Sequence, residues 1–257
     1  MPNCTEKTML ILRALSDSKG VPVALERLSE ITGINKSTAS HILKTLCFGG
    51  YVHRVSHTLG YLPGPELHML TRYGRYGEDI ITECHPILEY LYRKCGGTAV
   101  FALINKDKKY IIDRVSDDNL YHDGDAGILR DDIYRTVTGR VLLASMPLDE
   151  ALEIYDSLGN PDRSEWSEVR TRGDFLEELS KIAEMPCYFL KIKSGDRVWL
   201  SFACAVHRNG ICVGAIGLAL RFSELSSLPS EAETADILRT VIACRNELER
   251  RLGFNAE

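Results

Sequence analysis

The pattern that most restricts the fold of this chain lies near its N-terminus, where three short segments show helical spacing of apolar residues. The first covers about residues 5–16, and the second follows Val23 and ends before Gly33. The third spans about residues 35–46, with apolar residues at offsets of zero, three, four and seven. These are Ala39, Ile42, Leu43 and Leu46. Three short helices in this order predict a helix-turn-helix module.

A hairpin is predicted directly after the third helix. Gly49-Gly50 breaks the helical pattern, and residues 51–55 and 61–62 have the composition of two short strands around residues 56–60. A helix-turn-helix followed by such a hairpin predicts a winged module.

The charge distribution of this module favours a polyanionic partner. Residues 31–65 contain no Asp or Glu, and the first 62 residues carry a balance of +3, although the whole chain carries −5. The apolar stripe of the third helix leaves short polar and basic side chains outside, which suits a helix that reads base edges in a major groove. We therefore predict binding to a double-stranded DNA operator. The candidate residues are Lys36, Ser37, Thr38, Ser40, His41 and Lys44 on the helix and Arg54 and His57 in the hairpin, with His53 also near phosphates.

The competing interpretation is a small packing unit whose charge asymmetry is accidental. It requires the order of the helices, the turn glycine, the polar face and the wing to coincide without a function.

Several motifs in a fixed order resemble those of the IclR family of bacterial transcriptional regulators, over nearly the whole length of the chain. They are Lys36-Ser37-Thr38-Ala39, Gly50-Tyr51-Val52, Leu59-Gly60-Tyr61-Leu62-Pro63-Gly64 and Thr138-Gly139-Arg140-Val141-Leu142-Leu143-Ala144. The resemblance implies a ligand-responsive regulator with a GAF-like sensor domain. Many members have arginine where this chain has His41, so a different base preference is expected.

The rest of the chain predicts an α+β fold with a mainly antiparallel sheet. Helices are predicted near residues 80–94, 138–145, 148–158, 175–185 and 231–252. Strands are predicted at residues 98–104, 110–115, 198–207 and 211–222, and Asn209-Gly210 is a strong hairpin signal between the last two. The expected domains are a winged helix-turn-helix at residues 1–64, a linker helix at 65–77, and an effector-binding and oligomerisation domain at 78–257.

The resemblance also implies an effector pocket in the second domain. It places Tyr134, Val137, Thr138 and Gly139, at a loop and helix start, opposite Lys191, Ser201, Gly217 and Ala219 on strands. Members that bind small carboxylates often have Asp, Cys, Ser and Ser at the last four positions. The loss of hydroxyls and the expected gain in room predict an amphipathic organic acid, bulkier than a two- or three-carbon acid. Lys191 and Arg197 are candidates for its carboxylate, with solvated lysine and arginine as the alternative.

Composition predicts a cytoplasmic protein without membrane association. Of the 257 residues, 44% are hydrophobic and 26% charged. No apolar run approaches the roughly 20 residues needed to span a bilayer, and the N-terminus lacks a basic-then-apolar export signal. The eight cysteines are dispersed and are expected to be reduced. Cys204, His207 and Cys212 are a poor metal site because strand alternation puts the first two on opposite faces, so no metal is predicted.

Two other functions remain open alongside a ligand-controlled regulator. A thiol-based redox sensor is one, because eight cysteines offer an oxidisable pair. A small-molecule enzyme is the other, although no nucleophile motif or phosphate-binding loop is present and no cofactor or catalytic residue is predicted. The aspartates of residues 113–132 are interpreted as a solvated loop face. A homodimer or homotetramer is expected, because one recognition helix contacts only a short half-site.

Overall fold

The computed structural model describes residues 3–18, 20–56, 59–72, 78–116, 129–130, 132–194, 197–223 and 227–254. The chain divides into two compact units, Met1–Glu78 and Asp79–Glu257. The first unit contains helices α1 (Cys4–Ser16), α2 (Leu25–Thr32), α3 (Lys36–Phe48) and α4 (Pro65–Arg72), and strands β1 (Val52–Ser56) and β2 (Gly60–Pro63).

The ends of these helices follow from local chemistry. The Asn3 side chain and Glu6 form a capping box at the start of α1. Gly33 ends α2 in the left-handed conformation, with φ of 67°. Asn35 caps α3, because its side-chain oxygen accepts a hydrogen bond from the Thr38 backbone N–H at 2.9 Å.

The core of the first unit is formed by the apolar faces of α1, α2 and α3. The four residues predicted for the core face of α3 are all buried, and they pack with Ile11, Leu15 and Leu28. The predicted helix-turn-helix is therefore present.

The predicted wing is also present, as an antiparallel pair of β1 and β2 in which Arg54 lies opposite Tyr61. A single bridge between Val23 and Tyr61 joins it to the segment before α2. Gly60 has φ of 100°, and a Cβ there would lie 2.3 Å from the carbonyl oxygen of Val23. A side chain at this position would therefore push the wing away from the helices.

The second unit is an α+β domain, as predicted. Its helices are α5 (Glu78–Cys95), α6 (Val137–Ser145), α7 (Leu148–Leu158), α8 (Arg172–Ala183) and α9 (Glu231–Phe254). Its strands are β3 (Thr98–Asn105), β4 (Lys108–Ser116), β5 (Leu129–Arg130), β6 (Tyr188–Ser194), β7 (Arg197–Arg208) and β8 (Ile211–Phe222). They form one antiparallel sheet in the order β5-β4-β3-β8-β7-β6.

The two faces of this sheet bury different helices. Residues such as Phe101, Phe202 and Ile216 face α5 and α9, whereas Ala203 and Ala215 face the helices α6, α7 and α8. Because side chains alternate along a strand, each strand contributes to both cores.

The structure differs from the sequence-based expectation in two details. The turn between β3 and β4 is the pair Lys106-Asp107, with Lys106 at φ of 58°, so Lys109 lies inside a strand rather than in the turn. The two edge strands, β5 and β6, were not predicted. Part of the predicted linker helix is α4, and residues 73–77 lie outside the described residues.

Candidate functional site

The exposed face of α3 carries most of the predicted DNA-binding side chains. Lys36, Ser37, Ser40, His41 and Lys44 are all exposed. Thr38 is half-buried, and its backbone N–H is used in the cap of α3. The face therefore presents hydroxyls, an imidazole and ammonium groups, which are groups that reach base edges and phosphates.

Lys36 also has a partner within the protein. Its Nζ lies 3.3 Å from Oε1 of Glu26 on α2, and both side chains are largely exposed. Exposed pairs of this kind contribute only up to about 1 kcal/mol, so a phosphate can replace the carboxylate at little cost.

In the wing, Arg54 is exposed and its guanidinium carbon lies 5.5 Å from the centroid of the Tyr61 ring. This stacking limits the directions that the side chain can take. His53 is exposed on the same strand. His57, the other predicted wing residue, lies outside the described residues.

In the second unit, a cavity of about 310 Å³ lies between the sheet and the start of α6. Five of the residues that the sequence analysis placed in an effector pocket line it. They are Val137, Thr138, Ser201, Gly217 and Ala219. Much of the remaining lining is apolar, including Val100, Ile111, Ile192 and Trp199.

The other three predicted pocket residues are not among the residues that line this cavity. Lys191 is exposed, and its neighbour Ile192 lines the cavity. Because successive side chains on a strand lie on opposite faces of the sheet, the Lys191 side chain lies on the face away from the cavity. Tyr134 is buried against Trp166 and Phe175, and its hydroxyl donates to the carbonyl oxygen of Gly159 at 3.1 Å.

Gly139 and Gly217 are required for close packing rather than for pocket volume. A Cβ on Gly139 would lie 2.1 Å from the carbonyl oxygen of Ile133. A Cβ on Gly217 would lie 2.5 Å from the Thr138 methyl group. The expectation that Gly217 adds room is wrong, because Thr138 already fills that space.

The cavity wall also contains a charged group that is not predicted from the sequence. Lys109 on β4 is only 2% exposed and lines the cavity. Its Nζ lies 2.6 Å from Oδ1 of Asp132 and donates to the Thr136 hydroxyl at 2.5 Å. Thr136 in turn caps α6, accepting from the backbone N–H of Gly139 at 3.3 Å. Neither the spacing nor the composition around Lys109 distinguishes it from Lys106 and Lys108, which are less buried.

Two aspartates also differ from their interpretation as a solvated loop face. Asp132 pairs with Lys109, and its side chain is only 29% exposed. Asp113 lies 3.1 Å from Nδ1 of His85 and is largely covered. The remaining aspartates of that stretch, at 117, 118, 123, 125 and 131, lie outside the described residues.

The eight cysteines all lie in described parts of the chain and are free thiols. Burial raises the pKa of the Cys84 thiol and raises the pKa of Cys244 to about 11. Because the thiolate is the reactive form, burial makes these two cysteines poor redox sensors. Within the described residues there is no group of three His, Cys, Asp or Glu side chains placed to hold a metal ion.

Comparisons with known proteins give consistent results for sequence and fold. Residues 5–56 match the IclR helix-turn-helix domain. The HTH-type transcriptional regulator Rv1719 of Mycobacterium tuberculosis is 28% identical over 172 residues, which are 67% of this chain and 64% of that protein. This chain thus matches less than two thirds of the length of that curated relative.

Solved structures share the fold at low sequence identity. An IclR transcriptional regulator from Alicyclobacillus acidocaldarius superposes with a TM-score of 0.73 at 16% identity, over 98% of this chain and 100% of that chain. An IclR homolog from Microbacterium hydrocarbonoxydans, solved in complex with 4-hydroxybenzoate, gives a TM-score of 0.71 at 12% identity, over 97% and 99% of the two chains.

The first unit, with α3 exposed beside a two-stranded wing, is a winged helix-turn-helix domain, and the second is an α+β domain built on an antiparallel sheet. Residues 5–56 carry an IclR helix-turn-helix domain. Nearly the whole chain shares its two-domain fold with a solved IclR transcriptional regulator. Among the described residues, no helix is both long and apolar enough to cross a membrane.

Proposed function

We propose that this protein binds a double-stranded DNA operator through α3 and the β1–β2 wing and thereby regulates transcription. The observation that carries the proposal is the exposed face of α3, where Ser37, Ser40, His41 and Lys44 lie opposite a fully buried apolar stripe. No acidic residue occurs between residues 31 and 65, so the approach of a phosphate backbone is not opposed locally. Two basic side chains lie at the ends of this surface, Lys36 on α3 and Arg54 on β1. Both contact phosphates in the proposed complex.

Selection of bound sequences from a random duplex library tests the DNA-binding proposal. We expect enrichment of a short motif, and we expect the purified protein to bind it about 10³-fold or more tightly than unrelated duplex at the same salt concentration. A library that shows no enriched motif after repeated selection would reject sequence-specific binding.

We infer that a small molecule in the cavity of the second unit controls operator affinity. The cavity volume suits a single small metabolite, and its lining combines apolar side chains with the start of α6 and a few polar groups, as ligand sites commonly do. The 4-hydroxybenzoate bound by the Microbacterium hydrocarbonoxydans homolog supports an aromatic acid as the class of effector. An amphipathic organic acid of this kind remains our preferred effector.

Thermal unfolding with a panel of organic acids tests the effector proposal. A ligand at 100 times its Kd stabilises the folded state by about 2.7 kcal/mol, which gives a readily measured increase in unfolding temperature. Mass spectrometry of small molecules released from the freshly purified protein identifies a natural ligand independently. If neither measurement finds a ligand, the cavity is a packing feature.

We propose that the protein acts in the cytoplasm, where operators are accessible, and that it has no catalytic activity. We also propose that it acts as a homodimer or homotetramer. Two copies present two α3 helices to two half-sites, which supplies more base and phosphate contacts than one short helix provides. Sedimentation of the protein with and without operator measures the number of copies. Burial raises the pKa of Cys84 and of Cys244, which argues against these two thiols as the sensors of a redox-responsive regulator.

A further inference from the structure

We propose that the hydroxyls of Thr98 and Ser201 hold the carboxylate of the effector, from the two strands that flank β8. Thr98, on β3, is then a residue that determines ligand specificity. This inference rests on the proposed function, which assigns the cavity of the second unit to an effector. It deepens that function, because it names the protein groups that bind the acid end of the ligand.

The two hydroxyls belong to one row of side chains across the sheet. Thr98 on β3 and Ser201 on β7 both pair with Ala219 on β8, the strand between them. Residues directly opposite each other in an antiparallel sheet lie on the same face. All three residues line the cavity. The row therefore presents a hydroxyl, a methyl group and a second hydroxyl to a ligand.

Both hydroxyls are available to a ligand. Thr98 is only 5% exposed, and Ser201 is half-buried. Within the part of the chain that the structure describes, neither hydroxyl has a hydrogen-bond partner. A covered hydroxyl without a partner is unfavourable, so an acceptor group of a ligand that meets this pair is stabilised.

The spacing of the row indicates which acceptor group fits. Two steps between neighbouring strands put the Cα atoms of Thr98 and Ser201 about 10 Å apart. A single acceptor atom reaches both hydroxyls only if their oxygens lie within about 5.6 Å, which is twice the length of an O–H···O hydrogen bond. A carboxylate has two acceptor oxygens and spans a wider gap. One oxygen accepts from Thr98 and the other from Ser201, above the methyl group of Ala219.

The N-terminus of α6 lies beside this row. The Thr138 methyl group packs against Gly217, which is two residues before Ala219 on the same face of β8. Val137 and Thr138 also line the cavity, and they contribute the first two backbone N–H groups of the helix. The positive end of a helix dipole favours a negatively charged group. The site therefore suits a carboxylate better than a neutral amide.

The neighbouring apolar residues accommodate the rest of the ligand. Trp199 lies two residues before Ser201 on the same face of β7, and it pairs with Ile192 on β6. Both residues line the cavity. An aromatic ring attached to the carboxylate therefore lies over Trp199 and Ile192.

Isothermal titration of the full chain with two matched probes tests the proposal. The probes are 4-hydroxybenzoate and 4-hydroxybenzamide, which share the ring and the phenol and differ in the acid group. An amide has one acceptor oxygen and carries a donor NH₂ in place of the second oxygen. For the wild-type protein we expect 4-hydroxybenzoate to bind about tenfold or more tightly, because a site built for two acceptors rejects a donor at one of them.

Substitutions at Thr98 separate its hydroxyl from the shape of its side chain. Thr98→Val removes the hydroxyl and keeps a β-branched side chain in the strand, whereas Thr98→Ser keeps the hydroxyl. Thr98→Val and, independently, Ser201→Ala should each weaken binding of 4-hydroxybenzoate by about fivefold or more and reduce its preference over the amide. Thr98→Ser should bind within about threefold of the wild-type protein.

Thr240→Val is the matched control for Thr98→Val. Thr240 is buried on α9 and does not line the cavity, and its hydroxyl donates to the carbonyl oxygen of Asp236 at 2.8 Å. This variant should bind both probes as the wild-type protein does. Thermal unfolding without ligand confirms that each variant is folded, and Ser201→Ala tests the row by itself if Thr98→Val does not fold.

The outcomes distinguish this inference from the effector proposal. If 4-hydroxybenzoate binds and both Thr98→Val and Ser201→Ala keep the wild-type affinity, the cavity is still an effector site and the role of the two hydroxyls is overturned. If Thr98→Ser loses as much affinity as Thr98→Val, the methyl group of Thr98 acts rather than its hydroxyl, and the inference is likewise overturned. If neither probe binds the wild-type protein, the aromatic acid class fails, and this inference fails with it.

Discussion

Ser40 and His41 occupy the exposed face of α3, one turn after its N-terminus, where a helix in a major groove places side chains against base edges. Replacing either by Ala should weaken binding to the selected operator by about 1–3 kcal/mol and relax the base preference at one position. Lys44→Ala should instead weaken binding to all sequences by a similar factor. Titration of the operator and of single-base variants of it measures both effects.

The control in this experiment is Thr45→Ala, on the same helix one residue beyond Lys44, whose hydroxyl donates to the carbonyl oxygen of His41 at 3.2 Å. A uniform loss on every sequence for both Ser40→Ala and His41→Ala would remove these residues from base readout.

Arg140 is a residue whose role is structural. It is 4% exposed, and its guanidinium donates to the carbonyl oxygens of Tyr134 at 2.8 Å and Glu165 at 2.5 Å and to the Tyr188 hydroxyl at 3.0 Å. It also lies 4.5 Å from the centroid of the Trp166 ring. Arg140→Met should lower the free energy of unfolding by about 3 kcal/mol, because buried acceptors lose charged donors.

The matched variant for Arg140 is Arg172→Met. Arg172 is 52% exposed and lies 3.4 Å from Asp156, so its loss should change stability by less than about 1 kcal/mol. Urea denaturation of both variants measures the difference. Equal stabilities would mean that the Arg140 hydrogen bonds contribute little net free energy.

At the scale of elements, the β1–β2 wing is a short hairpin that Val23 and Gly60 hold against the helices. Arg54 is exposed on β1, opposite Tyr61, in a region without acidic residues. Arg54→Ala should lower operator affinity and make the slope of log affinity against log salt shallower by about one unit, because one phosphate contact is lost.

Arg93→Ala provides the comparison for Arg54, since Arg93 is exposed on α5 in the other unit and pairs with Glu89 at 3.1 Å. Its slope should equal that of the wild-type protein. If the Arg54 variant also keeps the wild-type slope, Arg54 does not contact phosphate and the wing has another role.

The sheet of the second unit is the element that organises the proposed effector site. Side chains alternate between the two faces of the sheet along β7 and β8. Phe202 and Ile216 therefore lie in the core under α5 and α9. Ser201 and Gly217 lie on the other face, toward α6. The same rule explains why Lys191 and Ile192, which are neighbours in sequence, reach different faces.

At the scale of the whole molecule, the proposed control of DNA binding requires that the effector bind two states of the protein with different affinity. Ala219 lines the cavity on β8, and Ala219→Leu fills part of its volume. We expect this variant to lose the effector response while its operator affinity without effector stays within about threefold of wild type. Operator titrations with and without 4-hydroxybenzoate, or with the ligand found in the purified protein, measure the response.

Val213→Leu is the control for Ala219→Leu, because Val213 lies on the same strand and does not line the cavity. It should keep the wild-type response. A full effector response in Ala219→Leu would place the effector elsewhere, and DNA binding by α3 would be unaffected by that result.

Local patterns were sufficient to predict α3, the wing, the Asn209-Gly210 hairpin and the α+β character of the second unit. Helical spacing and strand alternation are properties of a few consecutive residues, and the burial of one face is what those patterns encode. The short motif that begins at Thr138 was also visible in the sequence, and its residues serve packing: Gly139 approaches Ile133, and Arg140 joins α6 to β6.

Only the tertiary structure decided which charged residues line the proposed effector cavity. Lys109 and Lys191 are both lysines on strands, yet one is buried beside Asp132 and the other is exposed on the far side of the sheet. The start of β4, the order of strands in the sheet and the position of α6 fix this difference, and they depend on contacts between residues distant in sequence. The sequence by itself therefore determined the helix α3 and the presence of an antiparallel sheet. The packing of that sheet against α6 determined which chemical groups line the cavity.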